Sequence, residues 1–548
     1  MAIDRVKIHN FKCFKDFDLQ LNTGLNILVG NNDSGKSTFL EAIHLALTGL
    51  YGGRNIRNEL SQYLFNKEVV KEYLTSVKDG QPIDLPNMFI EIYFSGSIDP
   101  NFEGSGNTEG LNSVEGIRFE AYYDDKYATE YSKAVASKDL ITLPIEYYDV
   151  RWMTFARQQT TIRSIPVKSA MIDSAQYRYQ NGSDVYISRI VKDLLEAEEI
   201  VSIAQAHRRM KDGFINDSSI VAINKRISEE SSMTDGKVSL SVDLGTKNAW
   251  ENSLVTQLND VPFGYIGKGS QCIIKTDLAL TNKRSQNAQI ILMEEPESHL
   301  SFSKLNYLIS SISHKCDNKQ IILSTHSSFV ANKLGLANLL LLANHQITKL
   351  TELNSETFFR KISGYDTLRL ILCKKAILVE GDSDELIVQK AYMKTHNGRL
   401  PIEDEVDVIS VGITFLRFLE IAKCLKINVV VVTDNDGNID ALKSKYYNYL
   451  GENTKENIKI CFDSVVDEGD FQIGGKKYNY NTLEPKILKA NNNDLSLFNR
   501  VFNKKYTDIN DLRKYMESNK TDCALAIFDS DEEIKFPDYI MEAVKDEQ

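Results

Sequence analysis

Leu25-Asn26-Ile27-Leu28-Val29-Gly30-Asn31-Asn32-Asp33-Ser34-Gly35-Lys36-Ser37-Thr38 is the stretch that decides how this chain is read. Residues 30–37 fit the phosphate-binding pattern GxxxxGK[ST]. An apolar run, Leu25 to Val29, precedes the pattern, and a helix-like stretch, Thr38 to Leu47, follows it. A strand thus delivers the chain into a loop whose backbone N–H groups curl around phosphates. The N-terminal end of the next helix adds its positive dipole. Lys36 is placed to reach the terminal phosphates and the Ser37 hydroxyl to bind Mg²⁺. Gly30, Asn31, Asn32, Asp33, Ser34, Gly35, Lys36, Ser37 and Thr38 are therefore the expected nucleotide-binding residues.

Working outward, Gln289-Ile290-Ile291-Leu292-Met293-Glu294-Glu295-Pro296-Glu297 is a hydrophobic strand ending in acids. Glu294 sits where a carboxylate holds Mg²⁺ through water, and Glu295 where a general base polarises the attacking water. Ile321-Ile322-Leu323-Ser324-Thr325-His326 is another strand, ending in a His placed to contact the γ-phosphate. Between loop and acids lies Ile266-Gly267-Lys268-Gly269-Ser270-Gln271. Together these residues resemble the ABC-type ATPase heads of the SMC and RecF-like group. Residues 31–38 look like their Walker A, Leu292 to Glu297 like Walker B with its catalytic Glu295, and His326 like the switch histidine. Gly269, Ser270 and Gln271 resemble a degenerate signature motif. In such heads the signature of one subunit completes the ATP site of the other, so the resemblance implies a homodimer. The first Walker B acid is Glu294 where Asp is usual. Gln158 and Gln159 are candidates for the Q-loop.

A second constellation lies further on. Ile377-Leu378-Val379-Glu380-Gly381-Asp382-Ser383-Asp384 is a strand ending in acids, and Val429-Val430-Val431-Val432-Thr433-Asp434-Asn435-Asp436-Gly437 is another. If the tip stays extended, Asp434 and Asp436 point the same way. Concentrated carboxylates repel one another, and a hard cation is the usual remedy. An all-oxygen set suits Mg²⁺ or Mn²⁺, and no His or Cys cluster favours zinc. The arrangement resembles the Toprim fold of topoisomerases, primases and some nucleases, with Ser410-Val411-Gly412 and Phe415 to Leu425 as its next strand, glycine turn and helix.

An ABC head followed by a Toprim unit is similar to one family over nearly the whole chain: the OLD (overcoming lysogenization defect) nucleases, which include the Gabija antiphage effector. Glu380 and Asp384 match the family's VEGxx[ED] acids, with Asp384 in place of the commoner Glu. Asp434 and Asp436 match its DxD. Glu484, in Thr482-Leu483-Glu484-Pro485, resembles a later acid, and Lys520 a late lysine. The resemblance implies ATP and Mg²⁺ (or Mn²⁺) as cofactors and DNA as substrate. Glu380, Asp384, Asp434, Asp436 and Glu484 would bind metal, alongside Ser37 and Glu294 at the ATP site. Lys520 would offset charge on the scissile phosphate. It also implies a homodimer or tetramer, with a helicase or a retron reverse transcriptase and its DNA as operon partner. Two rival readings are a non-nucleolytic ABC ATPase clamp or repair protein with a binding Toprim, and a topoisomerase- or primase-like enzyme. Against the latter, no tyrosine sits in a recognisable nucleophile motif.

Bulk properties agree. A chain of 548 residues is too long for one core and suggests two to four domains. The expected class is α/β: ABC ATPase over residues 1–180 and 241–350, a helical insertion at 181–240 serving dimerisation, and a Toprim domain at 370–548. The insertion is expected helical from 183 to about 232, with Ser183 or Asp184 as N-cap and Ile187, Ile190, Val191, Leu194 and Leu195 on one face. Strand returns near Val238 to Leu244. The seven cysteines are scattered without a CxxC pair, which argues against zinc ribbons and disulfides and for a reducing cytoplasm. No run of eighteen apolar residues suggests a membrane span. The net charge of −12 is a weak guide to nucleic-acid binding, since local patches such as residues 207–211, 224–226 and 283–284 act separately.

Overall fold

The computed structural model describes residues 2–96, 99–138, 140–173, 179–180, 183–184, 195–230, 238–241, 257–281, 288–315, 319–343, 346–349, 357–358 and 367–545. The chain divides into two compact units. One holds Met1–Thr325 and Leu342–Ile347, the other His326–Leu341 and Thr348–Gln548.

In the first unit β1 (Ala2–Phe11) turns at Lys12 and Cys13 into β2 (Phe14–Gln20). Phe17 and Leu19 face inward while Asp16 and Asp18 face solvent, the alternation of a strand covered on one side. Then follow β3 (Leu25–Val29), α1 (Lys36–Thr48), α2 (Lys67–Lys78), β4 (Met88–Ser95), β5 (Gly116–Tyr123), β6 (Tyr148–Thr154) and β7 (Ser169–Asp173). Helices α3 (Ala197–Ile215), α4 (Ser218–Glu230) and α5 (Lys268–Thr281) come next. The strands β8 (Ile290–Glu294), β9 (Gln320–Ser324), β10 (Leu339–Ala343) and β11 (Gln346–Lys349) complete the series. One sheet is antiparallel, in the order β2-β1-β4-β5-β6, and the other runs β11-β10-β3-β9-β8-β7. Within the latter, β3, β9, β8 and β7 are parallel. The Ile, Leu and Val runs of β3, β8 and β9 are buried on both faces, as inner parallel strands require. Helix α1 packs against both sheets, and the Trp152 indole N–H on β6 donates to the Ala46 carbonyl at 2.9 Å.

The second unit is built on β12 (Lys375–Val379), α6 (Asp382–Thr395), β13 (Val406–Ser410), α7 (Phe415–Leu425), β14 (Asn428–Val432) and β15 (Ile458–Cys461). Helices α8 (Leu483–Ala490) and α9 (Lys520–Asp529) follow. The sheet order is β13-β12-β14-β15, all parallel. The chain leaves β12 toward β13 and leaves β14 toward β15, so the order reverses between β12 and β14. Ligands bind beyond the carboxyl ends of strands at such a switch point.

Three expectations from sequence need correction. Ser183–Asp184 pairs antiparallel with Tyr179–Gln180, so the helix does not begin at Ser183; residues 185–194, which an Asp184 cap would precede, lie outside the described residues. Among the described residues a helix starts at Ala197, where Glu196 and Glu199 form a reciprocal capping box; Ile187, Ile190, Val191 and Leu194 lie outside the described residues. Residues 238–241 are not a strand. The Asn224 side chain there takes both backbone groups of Leu240, which removes them from any ladder. The tip after β14 does not stay extended, because Asp436 is left-handed at φ 48°. Residues 283–284 and Cys316 lie outside the described residues, and no disulfide joins the described cysteines. Among the described residues no helix is long and apolar enough to cross a membrane.

Candidate nucleotide and metal sites

The phosphate loop joins β3 to α1. A Cβ at Gly30 would stand 2.3 Å from the Leu342 carbonyl oxygen on β10, so only glycine fits. Gly35 has φ +107° and its missing Cβ would press on the Phe14 ring at 2.6 Å. The Lys36 ammonium is buried and donates to the carbonyls of Gly30 and Asn31, each at 3.0 Å. Burial lowers its pKa, and Glu295, Glu294 and Asp33 oppose that shift. Loop lysine and strand-end acids therefore meet. Asn31, Asn32, Asp33 and Ser37 are exposed, Thr38 is half-buried, and the Ser34 hydroxyl is buried without a partner. Glu294 ends β8 level with Ser324 on β9. Glu295 turns left-handed at φ 39° and its N–H donates to the Ser324 carbonyl. His326 follows β9 directly, next to Thr325, whose hydroxyl donates to Glu297 at 2.6 Å. Gly269, Ser270 and Gln271 form the first turn of α5. The buried Gln271 amide points inward, donating to the carbonyls of Phe263 and Ile266. A lysine resting on loop carbonyls, an orphaned hydroxyl and two acids beside them fit a triphosphate with its Mg²⁺.

The second set of groups gathers beyond β12 and β14. Glu380 is exposed just after β12. Asp384, in the first turn of α6, accepts from the Gly381 N–H at 3.0 Å. Burial pushes its carboxyl up to about 6; the Gly381 N–H opposes this, and Glu484 and Glu380 add to it. Asp434 accepts from the Leu483 N–H at 3.1 Å and from the Tyr539 hydroxyl at 3.4 Å. Burial first, then the charges of Asp384, Glu484, Asp436 and Glu380, hold its carboxyl well above the usual range. Asp436 is exposed and accepts from Asn479. Glu484 opens α8, is 4 % exposed, and stands 3.4 Å from the Lys520 ammonium at the start of α9. Burial raises Glu484 and Lys520 pulls it back. All six residues named from sequence are thus brought together, by electrostatic contact if not by one shared point. Among the described residues no three His, Cys, Asp or Glu side chains converge in ion-holding geometry. The set is an open cluster and not a closed cage. Its all-oxygen chemistry and its raised carboxyls fit a hard divalent cation. Mg²⁺ is typically held by one or two carboxylates, with water and substrate phosphates completing its shell.

Sequence reading missed what holds this cluster in register. Asn435, between the two aspartates, is 2 % exposed. Its amide donates to the carbonyls of Asp463 (2.6 Å) and Val465 (3.1 Å). Lys486, two residues past Glu484, has a side chain 2 % exposed and bridges Asp463 at 2.6 Å and Asp467 at 2.7 Å. Asn481 clamps the backbone of Asp467 through both amide atoms. Residues 463–467 are thereby a strut between the β14 tip and α8. A lysine among Leu483, Pro485, Ile487 and Leu488 was the available signal. Tyr539, 105 residues from Asp434, gave none.

The family model for an AAA ATPase domain matches residues 1–331, more than half of the chain. The model for the Toprim domain of proteins like the overcoming lysogenization defect protein matches residues 371–436. A DNA double-strand break repair Rad50 ATPase of Thermoplasma acidophilum is 36% identical over 73 residues, 13% of this chain and 8% of that protein. An ATP/GTP phosphatase of Helicobacter pylori is 24% identical over 353 residues, 59% of this chain and 85% of that protein. A solved SMC head bound to the C-terminal winged-helix domain of ScpA aligns at 15% identity and a TM-score of 0.33, over 64% of this chain and 98% of that one. The chain thus spans under a tenth of the first of these relatives and most of the second. With an AAA ATPase domain over its first three hundred residues and an OLD-like Toprim domain behind it, the chain belongs to the OLD family of ATPase–Toprim proteins.

Proposed function

We propose that the chain is an ATP-binding, metal-dependent DNA endonuclease that acts as an antiphage effector. In this reading it assembles as a homodimer through its ATPase heads, whose nucleotide state regulates the Toprim site. The observation that carries the reading is the mutual charging of Glu380, Asp384, Asp434, Asp436 and Glu484 at the β12/β14 switch point, with Lys520 beside Glu484. Two divalent ions bound there would activate water and stabilise the leaving oxygen. Glu380, Asp384, Asp434, Asp436 and Glu484 would share their ligation with water and substrate phosphate. Lys520 offers its ammonium to the scissile phosphate, and Tyr539 and the Leu483 N–H orient the Asp434 carboxylate. At the other site Lys36 would exchange its carbonyl partners for phosphate oxygens, Ser37 and Glu294 would serve Mg²⁺, Glu295 would polarise the attacking water and His326 would contact the γ-phosphate. Gly269, Ser270 and Gln271 would serve the partner's nucleotide through backbone groups, since the Gln271 amide is engaged.

Plasmid DNA incubated with the protein and Mg²⁺ or Mn²⁺, with and without ATP, tests this. Cleavage is expected from the native chain and none from Glu380→Ala or Asp434→Ala. Equal cleavage by those variants would remove the nuclease assignment.

A further inference from the structure

Outside both sites, α2 together with Lys138, Leu140 and Ile141 lines a cavity of about 1080 Å³. One face of α2 lines it. Lys67, Val70, Lys71, Leu74 and Lys78 recur at three- and four-residue spacing, so they form a single stripe. Val70 and Leu74, half-buried and one turn apart, are the apolar centre, with Phe65 beneath and Leu140 across. Lys138 stands on the far wall. At the mouth Tyr63 is 80 % and Ile141 87 % exposed. The described lining carries no carboxylate. Lys67, Lys71, Lys78 and Lys138 form no ion pair with any described residue, whereas Lys12, on the floor, is paired with Glu41.

The stripe is preformed. Asn66 caps α2 by accepting from the N–H groups of Glu68 and Val69, and donates to the Lys12 carbonyl at 3.0 Å. The Lys12–Cys13 turn in its turn backs the phosphate loop, since a Cβ at Gly35 would meet the Cys13 sulfur at 3.0 Å.

We propose that this groove docks an acidic amphipathic helix of a partner protein. Four uncompensated ammonium groups ask for carboxylates, and the strip between them asks for two apolar side chains one helical turn apart. The 12-residue α2 offers about 18 Å of such surface. A nucleic-acid strand would satisfy the lysines and leave the apolar strip against sugar and phosphate. Strand binding draws instead on stacked aromatic platforms, and the mouth offers one exposed tyrosine. The site is independent of the nuclease reading, and its occupant would lie against the turn that supports the nucleotide loop.

The test uses the full chain at about 150 mM salt, where loose surface attraction is screened. The probe is a fluorescent helical peptide, rich in glutamate, with two leucines one turn apart. Saturable binding is expected by anisotropy. It should weaken at least tenfold in Lys71→Glu/Lys138→Glu and in Leu74→Ala, and tenfold when serine replaces the peptide's leucines. Circular dichroism and ATP binding of the variants should match the native chain. No saturable binding, binding indifferent to these changes, or tighter binding of a single-stranded oligonucleotide lost in the same variants would each overturn the proposal. None of these results depends on whether the chain cuts DNA.

Discussion

At the carboxyl end of β3 one buried ammonium, Lys36, faces Glu294, Glu295 and Asp33 and rests on loop carbonyls. At the carboxyl ends of β12 and β14 five carboxylates crowd around one ammonium, Lys520. Both regions put charge at the tips of parallel strands, where backbone leaves the sheet and side chains converge. They differ in what the ammonium touches: Lys36 hydrogen-bonds to backbone carbonyls, whereas Lys520 stands against the Glu484 carboxylate. The loop is an anion cradle: glycines leave room for the backbone to approach phosphate, and the lysine donates to loop carbonyls that phosphate oxygens can replace. The Toprim cluster is a cation cradle: burial and mutual repulsion lift Asp384 and Asp434 toward their protonated forms. Each is poised by an interaction it makes badly alone, and each should be stabilised by its own ligand.

The largest expected effect separates the two regions outright. Asp434→Ala should lower DNA cleavage on the order of 1000-fold while ATP hydrolysis persists, and Lys36→Ala should abolish ATP hydrolysis. Parallel loss of both activities in each single variant would mean that the two are one centre. Next, Lys486→Met strands Asp463, leaves Asp467 with Lys489 alone, and loosens the strut to Asn435. Removing one partner of so buried a pair should cost about 3 kcal/mol in denaturant unfolding, with ATP binding retained. If the loss is negligible, the strut does not support the cluster.

Acid sharpens the contrast, because the two regions respond with opposite sign. His44 on α1 has its Nδ1 covered and unpartnered, and burial lowers its pKa to about 4. The unfolded chain therefore takes the proton first. Stability present above pH 6.5 is lost as pH falls toward 4, by about 2 kcal/mol at pH 5. Asp384 is raised to about 6, so the folded state takes its proton first, and lowering pH through 6 toward 3.8 adds stability in metal-free protein. Hydrogen exchange at pH 7 and 5 without divalent ions should show α1 loosening and α6 tightening. Loosening of both would contradict the opposition. The smallest effect is the ligand response. Mg²⁺ at about ten times its Kd should stabilise the native chain by about 1.4 kcal/mol. Asp434→Asn should be more stable than the native chain without metal and should gain less from it, read by thermal melting.

Much of this contrast was legible in the sequence because each cradle is announced by contiguous residues. A run of Val and Ile followed by Gly or Asp marks a strand and its tip wherever the chain later goes. The geometry between tips was not legible. Asp436 leaves the extended conformation because the Asn435 side chain turns back to accept from the Gly437 N–H, a local bond that overrides alternation. Lys486 and Tyr539 act across long separations, where spacing carries no information. Ser183 and Asp184 looked like a helix start because their types favour N-caps. Pairing with Tyr179–Gln180 had the prior claim on their backbone.

The close approach of Gly30 to Leu342 has a practical corollary for anyone dissecting the protein. The stretch recognised as ATPase stops at residue 331, yet the strand that walls one side of the phosphate loop is Leu339–Ala343. A shortened chain ending at 331 would expose the flank of β3 as an open edge. Trimming the ATPase for separate study should therefore retain residues through Lys349, or the purified fragment will be prone to aggregate before its nucleotide affinity can be measured.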